Sequence, residues 1–339
     1  QWSPDGARFL VLTSASSDPY ESSNHRTPRV ISARDGAPIS VLAGKTRAYD
    51  QADWSPDGKR IAMLATHESL SMLNELLVWE PATGKSWNAA PDFDHTLTSL
   101  LWSADSRSLI TLVYERTAAR FLRLPVEGGA GVDLGFAGRV ADGPLTADRE
   151  VGKLAFISST DREPRDPTVF DLAGRTTTLA TRLNPDVQSW ALGRDEVVRW
   201  TSENGIEIEG LLMVSPESRP GAPAPLLVLP HGGPDAVTSQ SFSALTQFFA
   251  AHGISVLRPN YRGSLGYGRA FYAANRGRLG EIEFMDIESG VDALIAAGKA
   301  DPKRLLYGGW SWGGYLTAWT IGHTQRYRAA VVGAGVNDV

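Results

Sequence analysis

A five-residue motif that occurs three times in the first third of the chain limits how the chain can fold more than any other feature. Tryptophan and serine open each copy and aspartate stands fourth, in Trp2-Ser3-Pro4-Asp5-Gly6, Trp54-Ser55-Pro56-Asp57-Gly58 and Trp102-Ser103-Ala104-Asp105-Ser106. The tryptophans are 52 and 48 residues apart, and a run of apolar, strand-forming residues follows each copy. Because proline presets φ and glycine accepts a positive φ, we expect a tight turn between two strands at each site.

A second turn signal follows in each unit and strengthens the case for a repeat. These signals come after further strand-like runs, at Asp35-Gly36, Thr83-Gly84, Gly128-Gly129 and Ala173-Gly174. Four strands per unit with a period near fifty residues is typical of the blades of a β-propeller. We therefore predict a partial β-propeller of about four four-stranded blades over residues 1–190.

The three motif aspartates could alternatively be metal ligands. One aspartate per hairpin leaves no cluster of oxygen ligands, so we interpret Asp5, Asp57 and Asp105 as turn residues and predict no metal site. The chain has no cysteine, which excludes disulfides and thiolate metal sites. A glycine-rich stretch at 263–268 lacks the Gly-Lys-Ser/Thr ending of a phosphate-binding loop, and we predict no cofactor.

The composition narrows the classes of partner. The chain has 339 residues, 42% of them hydrophobic and 21% charged, as expected for about two soluble globular domains. The net charge of −5 and the lack of a basic run with interleaved aromatic residues argue against a nucleic-acid partner. No apolar stretch approaches the roughly 18–20 residues that span a membrane, so we expect no membrane partner. The sequence is compatible with an oligomer. It does not determine the cellular compartment of the protein.

Beyond residue 190 the pattern changes from paired strands to strands that alternate with helices. The apolar run at 226–230 predicts a strand buried on both faces, hence a parallel sheet. Helical patterns at about 241–252 and 285–297 alternate with further strand-like runs, which predicts an α/β sheet over residues 191–339. We expect the acidic residues near the second helix to occupy its first turn and solvent face: Glu281, Glu283, Asp286, Glu288 and Asp292.

A Gly-x-Ser-x-Gly sequence, residues 309–313, stands between a strand-like run and a helical pattern. This context is typical of a nucleophile elbow, a sharp turn that exposes a serine hydroxyl. Side chains at Gly309 and Gly313 would clash with the flanking strand and helix. The helix also directs its N-terminal N–H groups toward an oxyanion formed at the serine. We therefore predict that Ser311 is a catalytic nucleophile; the alternative is a structural turn.

A glycine-rich turn after the buried strand completes the candidate site. It reads His231-Gly232-Gly233 and precedes the first predicted helix. From this position α/β-hydrolases supply one oxyanion-hole N–H, and the residue after the nucleophile, here Trp312, supplies the other. On its own the turn could simply end a strand, but together with the elbow it predicts an oxyanion hole.

These features together resemble the prolyl oligopeptidase family of serine peptidases over essentially the whole chain. The residues that carry the resemblance are the propeller motifs, His231-Gly232-Gly233-Pro234, Asn260-Tyr261-Arg262-Gly263-Ser264 with Gly266-Tyr267-Gly268, Asp301-Pro302 and Gly309-Trp310-Ser311-Trp312-Gly313-Gly314. The resemblance is strongest to the acylaminoacyl-peptidase and dipeptidyl-peptidase branches. It implies a partial propeller followed by a partial α/β-hydrolase domain.

The same resemblance implies roles for the candidate residues. Ser311 would be the nucleophile, and the Trp312 N–H and the turn 231–233 would form the oxyanion hole. Trp312 would also line the S1 pocket, where the family more often carries tyrosine. The propeller would cover the active site and admit only short peptides as substrates.

The catalytic base and acid are missing from the expected positions. In an α/β-hydrolase they follow the serine in the order Asp, His, whereas the 28 residues after Ser311 contain His323 and then Asp338. His323 would lie about 18 Å from the serine along the helix, too far to take its proton. We expect the sequence to be a fragment truncated at both ends, with both triad partners beyond Val339, and to be inactive by itself.

Three functions are compatible with these features. The leading hypothesis is a serine-type peptidase that hydrolyses short peptides through an acyl-enzyme on Ser311. An esterase would use the same acyl-enzyme step on the same scaffold. A non-catalytic propeller binding module is the third, and the intact elbow and glycine turn argue against it.

Overall fold

The computed structural model describes residues 1–18, 26–42, 48–66, 73–219 and 221–336. Within these ranges the first half forms four antiparallel sheets, and the second half forms one six-stranded mixed sheet with helices. Asp338 lies outside the described residues. No helix in the described ranges is long and apolar enough to cross a lipid bilayer.

Each antiparallel sheet is a meander in which consecutive strands pair. The first sheet contains β1 (Arg8–Thr13), β2 (Thr27–Ser32) and β3 (Pro38–Val41), and Trp2 adds a single bridge to Phe9. The second contains β4 (Tyr49–Trp54), β5 (Ile61–Thr66), β6 (Asn74–Trp79) and β7 (Ser86–Asn88). The third contains β8 (Leu101–Trp102), β9 (Ser108–Glu115), β10 (Ala118–Pro125) and β11 (Val132–Asp133). The fourth contains β12 (Val140–Ala147), β13 (Lys153–Ser159), β14 (Asp166–Asp171) and β15 (Thr176–Leu179). The predicted series of four blades is therefore confirmed, with four strands in three of the sheets and three strands in the first, within the described ranges.

The repeated motif forms the turn between the first two strands of the second and third blades, and in the first blade it lies between the bridging Trp2 and β1. In the second blade, the Ser55 hydroxyl donates to Asp57 Oδ1 at 2.7 Å, and the Lys59 N–H donates to the same oxygen at 3.0 Å. Asp5 and Asp105 make the same pair of bonds in their own turns. The turn interpretation of the aspartates is therefore confirmed, and the described residues hold no cluster of three metal-ligating side chains.

Neighbouring blades pack through the motif tryptophans. Trp54 and Trp102 are buried, and the Trp102 indole N–H donates to the Asp53 carbonyl of the preceding blade at 3.1 Å. Apolar residues from the second and third blades, among them Leu64 and Leu109, form one buried cluster. The motif therefore supplies both the turn and the contact between blades.

The mixed sheet contains β16 (Arg194–Thr201), β17 (Glu207–Val214), β18 (Ala224–Val228), β19 (Ser255–Asn260), β20 (Ala300–Trp310) and β21 (Ala329–Gly333). The order of the strands across the sheet is β16-β17-β19-β18-β20-β21. The strand β17 is antiparallel to both of its neighbours, and the other neighbouring pairs, from β19 to β21, are parallel. The helices are α1 (Ala244–Ala251), α2 (Arg269–Ala273), α3 (Glu281–Ala296) and α4 (Trp312–His323).

The acidic residues of α3 are predicted to occupy its first turn and solvent face. Glu281 and Glu283 do lie in the first turn, but the solvent-face prediction is wrong for three residues. Glu283 and Asp286 are fully buried, and Glu288 is mostly buried. Each carboxylate has partners that the local sequence does not reveal: Asn275 and the Gly280 N–H bind Glu283, Arg262 binds Asp286, and Arg326 binds Glu288. Burial raises the pKa of Glu283 and of Glu288.

The propeller sheets and the mixed sheet contact each other directly. The turn between β9 and β10 reaches the mixed sheet, where the Arg116 N–H donates to the Gly266 carbonyl at 2.9 Å. The turn between β13 and β14 does the same, since Asp161 accepts a bond from the Asp195 N–H at 3.0 Å. The two kinds of sheet are joined between Leu179 and Arg194, and we propose residue 190, within that segment, as the domain boundary.

Candidate active site

Ser311 occupies a sharp turn between β20, which ends at Trp310, and α4, which begins at Trp312. Its backbone has φ +56° and ψ −118°, a region that non-glycine residues rarely adopt and that costs about 1–3 kcal/mol. Hydrogen bonds hold this conformation in place: the Ser311 N–H donates to Gly333 O, and the Tyr315 N–H donates to Ser311 O, each at 2.9 Å. The strain therefore persists because strand β21 and helix α4 fix the backbone on both sides.

The two glycines that flank the serine allow the strand, the helix and a neighbouring strand end to meet. A Cβ at Gly309 would lie less than 3.0 Å from the backbone of Gly313. A Cβ at Gly313 would lie equally close to the carbonyl oxygen of Pro230. Because these neighbours are backbone atoms, a side chain at either position would displace the turn itself.

The glycine turn 231–233 lies directly against the serine. A Cβ built on Gly232 would be 3.5 Å from the Ser311 Cβ and 3.0 Å from the Trp310 carbonyl oxygen. In the described part of the chain, no acceptor is hydrogen-bonded to the N–H groups of Gly232 and Gly233. The Trp312 N–H belongs to the first turn of α4, where N–H groups have no partner within the helix. The structure thus brings Ser311 together with backbone donors that have no acceptor.

The side chain of His231 contacts the stretch 261–269, which we call the 261–269 loop. Its Nδ1 is 2.8 Å from Gly232 O, its Nε2 is 2.9 Å from Ser264 Oγ, and its ring stacks on Tyr261 with centroids 4.4 Å apart. Because a carbonyl only accepts, Nδ1 carries the proton of the neutral ring. Burial lowers the pKa of His231 to about 4. The imidazole therefore fixes the Gly232 carbonyl and orients the peptide group that carries the Gly233 N–H.

An ion pair holds the 261–269 loop to the underlying helix. Arg262 and Asp286 are both buried, and the guanidinium donates to the carboxylate through Nη2 at 2.6 Å and through Nε at 2.9–3.0 Å. The Arg262 N–H and the Ser202 hydroxyl donate to the same carboxylate at 2.9 and 2.6 Å. Sequence reasoning missed this pair; its one available signal was the arginine inside the Asn-Tyr-Arg-Gly-Ser stretch.

Two tryptophans flank the serine and differ in exposure. Trp310 is 71% exposed, whereas Trp312 is 6% exposed and its ring packs on Tyr315 with centroids 4.6 Å apart. The indole N–H of Trp312 is buried and finds no acceptor among the described residues. The structure thus places the Trp312 side chain in the interior and only its backbone N–H at the turn.

Among the described residues, no side chain hydrogen-bonds to the hydroxyl of Ser311. His323 is the last residue of α4, and its imidazole bonds to the Trp319 carbonyl at 2.7 Å and stacks on the Trp319 ring. His252 bonds to a carbonyl of its own helix, α1. The described residues thus provide a candidate nucleophile and candidate oxyanion donors, and neither of these two histidines is bonded to the serine.

The sequence is similar to a known peptidase family and to individual peptidases. Residues 240–339 match the model of the prolyl oligopeptidase family. The chain is 23% identical over 348 residues to dipeptidyl-peptidase 5 of Porphyromonas gingivalis, covering 99% of the chain and 50% of that protein. It is 27% identical over 327 residues to the acylamino-acid-releasing enzyme of Sus scrofa, covering 88% of the chain and 44% of that protein.

The fold also matches that of a solved peptidase. The Pyrococcus horikoshii acylaminoacyl peptidase superposes with a TM-score of 0.83 at 20% identity, covering 99% of this chain and 52% of that one. The match covers the blades and the mixed sheet alike, so the chain has a β-propeller followed by an α/β-hydrolase fold. The chain spans half or less of the length of the curated relatives named here.

Proposed function

We propose that this chain, whose residues 240–339 belong to the prolyl oligopeptidase family, is part of a serine peptidase that cleaves short peptides through an acyl-enzyme on Ser311. One observation carries the proposal: Ser311 occupies a strained elbow against a glycine turn whose N–H groups have no acceptor in the described chain. The peptidase names of the relatives support peptides as the substrate class.

In this proposal each part of the site has a separate role. The Ser311 hydroxyl attacks the scissile carbonyl, and the negative charge that develops on the carbonyl oxygen is stabilised by the Trp312 N–H and by the turn 231–233. The acid and the base come from the part of the protein that follows Val339, since no described side chain is bonded to the Ser311 hydroxyl.

We also propose that the propeller restricts the substrates by size. The β9–β10 and β13–β14 turns contact the hydrolase domain, so the propeller lies over the same unit that carries Ser311. A cover of this kind favours short peptides over folded proteins. An esterase would need no such cover, and comparing kcat/KM on matched peptide and ester substrates separates the two activities.

Covalent labelling of the full-length protein with a fluorophosphonate probe tests the nucleophile. We expect labelling of the wild type and none of Ser311→Ala, because the probe reacts only with an activated serine. Ser40→Ala, in strand β3 of the propeller, is the matched control and should label like the wild type. Labelling that persists in Ser311→Ala would refute the assignment.

The same proposal predicts that residues 1–339 alone do not turn over an aminoacyl p-nitroanilide. Without a base, the serine hydroxyl is a weak nucleophile at neutral pH. Ser311-dependent release of p-nitroaniline by the 339-residue chain would show that a base lies within it, contrary to the proposal.

A further inference from the structure

The turn between β9 and β10 packs against the 261–269 loop, backbone to backbone. Arg116, at the tip of this turn, has φ +56°, and its N–H donates to Gly266 O at 2.9 Å. A Cβ on Gly266 would lie 3.3 Å from both the nitrogen and the carbonyl oxygen of Arg116. The propeller therefore contacts this loop without an intervening side chain.

The Arg116 guanidinium extends from the same turn to the hydrolase sheet. Its Nη1 is 3.1 Å from a carboxylate oxygen of Glu209 and 3.2 Å from one of Glu207. Glu209 is only 1% exposed, and a buried carboxylate needs charged or hydrogen-bonding partners. Its other partners are Arg199, at 2.8 Å, and the hydroxyl of Tyr267, at 3.1 Å. One of the two arginines at this buried carboxylate is thus supplied by the propeller.

A second propeller segment holds the end of the same loop. Asp94, which precedes the third blade, accepts a hydrogen bond from the Arg269 N–H at 2.8 Å. The neighbouring Phe93 carbonyl accepts a bond from the Arg269 guanidinium, also at 2.8 Å. Two propeller segments, from different places in the sequence, therefore fix the loop near Gly266 and at Arg269.

The opposite side of the loop carries the glycine turn next to the serine. The Tyr261 hydroxyl donates to the His231 carbonyl at 2.8 Å, and the Ser264 hydroxyl meets the His231 imidazole at 2.9 Å. The Leu265 N–H donates to Ala236 O at 2.9 Å. The loop is thus bonded to the propeller on one side and to the segment 231–236 on the other.

We infer that Arg116 is a positioning residue for the oxyanion turn, which it acts on through the 261–269 loop. The inference deepens the proposed function and rests on it, since it assigns the propeller a part in placing the catalytic donors. Arg116 does not touch the serine or the donors. When the propeller is seated, its arginine fixes Glu209, Tyr267 and Gly266, and the loop in turn holds His231.

The expected consequence is a loss of turnover, because oxyanion donors act only when they are accurately placed. Removing one donor outright lowers kcat by roughly 10²–10³-fold, and displacement of reacting groups by about 1 Å can cost about 10²-fold. Loss of Arg116 leaves Gly232 and Gly233 in the chain but loosens their support. We therefore expect a drop in kcat of about tenfold or more, with KM changed less than about threefold.

The test compares Arg116→Ala, Arg116→Lys and Arg60→Ala in the full-length protein. Arg60 is a matched control because it also bridges two glutamates, Glu80 and Glu127, but both of these lie in the propeller. The substrates are a peptide p-nitroanilide and p-nitrophenyl acetate, which is too small to reach the propeller. Hydrogen–deuterium exchange of the peptide 231–240 reports on the turn independently of activity.

We expect Arg116→Ala to lower kcat on both substrates and to speed hydrogen–deuterium exchange in the peptide 231–240. Arg116→Lys should recover part of the lost kcat and part of the protection from exchange. Arg60→Ala should resemble the wild type in both measurements. Unchanged exchange in Arg116→Ala would overturn the inference. An increase in KM for the peptide substrate alone would also overturn it, because it would indicate that Arg116 contacts the substrate. A wild type without Ser311-dependent turnover would refute the proposed function instead, and the exchange measurement would still decide whether Arg116 positions the turn.

Discussion

Replacing His231 with glutamine should change how the stability of the hydrolase domain depends on pH. A histidine has an ordinary pKa of 6.5, whereas burial lowers the pKa of His231 in the folded protein to about 4. Between these values the unfolded chain binds a proton that the folded chain does not, so stability is lost as the pH falls from 6.5 toward 4. The stabilisation is therefore fully present above pH 6.5.

The magnitude follows from the same two values. At pH 7 the imidazole is mostly neutral in both states. At pH 5 it is mostly protonated in the unfolded chain and mostly neutral in the folded one, which corresponds to about 1.5 pKa units. Each pKa unit corresponds to 1.36 kcal/mol. Between pH 7 and pH 5 the free energy of unfolding of the wild type should therefore fall by up to about 2 kcal/mol more than that of His231→Gln.

Differential scanning calorimetry can measure this loss. For a domain of this size, about 2 kcal/mol corresponds to roughly 4–8 °C. The Tm difference between the wild type and His231→Gln should thus shrink by that amount from pH 7 to pH 5. The control is His252→Gln, which replaces an exposed histidine at the end of α1 and should follow the wild-type profile because it leaves His231 and its partners in place.

A Tm difference that stays constant from pH 7 to pH 5 would refute the reasoning. It would mean that the acceptors around the ring, Gly232 O and Ser264 Oγ, stabilise the imidazolium enough to cancel the cost of burying its charge. In that case His231 would hold the turn 231–233 as a cation. The two results thus distinguish a neutral support for the turn from a charged one.

The packing of the site and of its loop gives two further predictions. In the full-length protein, Gly313→Ala should lower the rate of fluorophosphonate labelling by about 10²-fold, because the added Cβ would be less than 3.0 Å from Pro230 O and would force the elbow to move. Labelling at the wild-type rate would contradict this geometry. Asp286→Ala should destabilise the hydrolase domain by about 3–5 kcal/mol in urea unfolding, because Arg262 would remain buried without its partner, whereas Glu281→Gln, at an exposed ion pair on the same helix, should cost less than about 1 kcal/mol. A similar loss in both variants would show that the Asp286 pair is not buried in solution.

The sequence predicted the architecture well because its signals are local. The Pro-Asp-Gly turns depend on φ preferences within a few residues, and the blades follow from their regular spacing. The strand that ends at Trp310 and the helix that follows Ser311 were likewise predicted from adjacent residues. The boundaries shifted where capping decided them: α3 begins at Glu281, four residues before the predicted start, because Glu283 caps the Gly280 N–H.

The support of the candidate site could not be predicted in the same way. Arg262 and Asp286 are 24 residues apart, and nothing in their spacing shows that a loop folds back on helix α3. An acidic residue in a helix is usually exposed, so the sequence predicts a solvent-exposed Asp286. This prediction is wrong. The burial of Asp286 depends on which residue packs opposite it, here Arg262, and this pairing is a property of the tertiary fold.

Glu207 and Glu209 show the limit of sequence patterns most directly. They stand two apart on β17 and so point to the same side of the strand, and period-two reasoning gives both the same environment. The structure leaves the side chain of Glu207 56% exposed and that of Glu209 1% exposed. The two residues share Arg116, 93 residues before Glu209, so the contact comes from a different domain. A fold can therefore be predicted from local periodicity. The coupling of two domains depends instead on which residues the docked surfaces bring together. Variants of Arg116 measure this coupling directly.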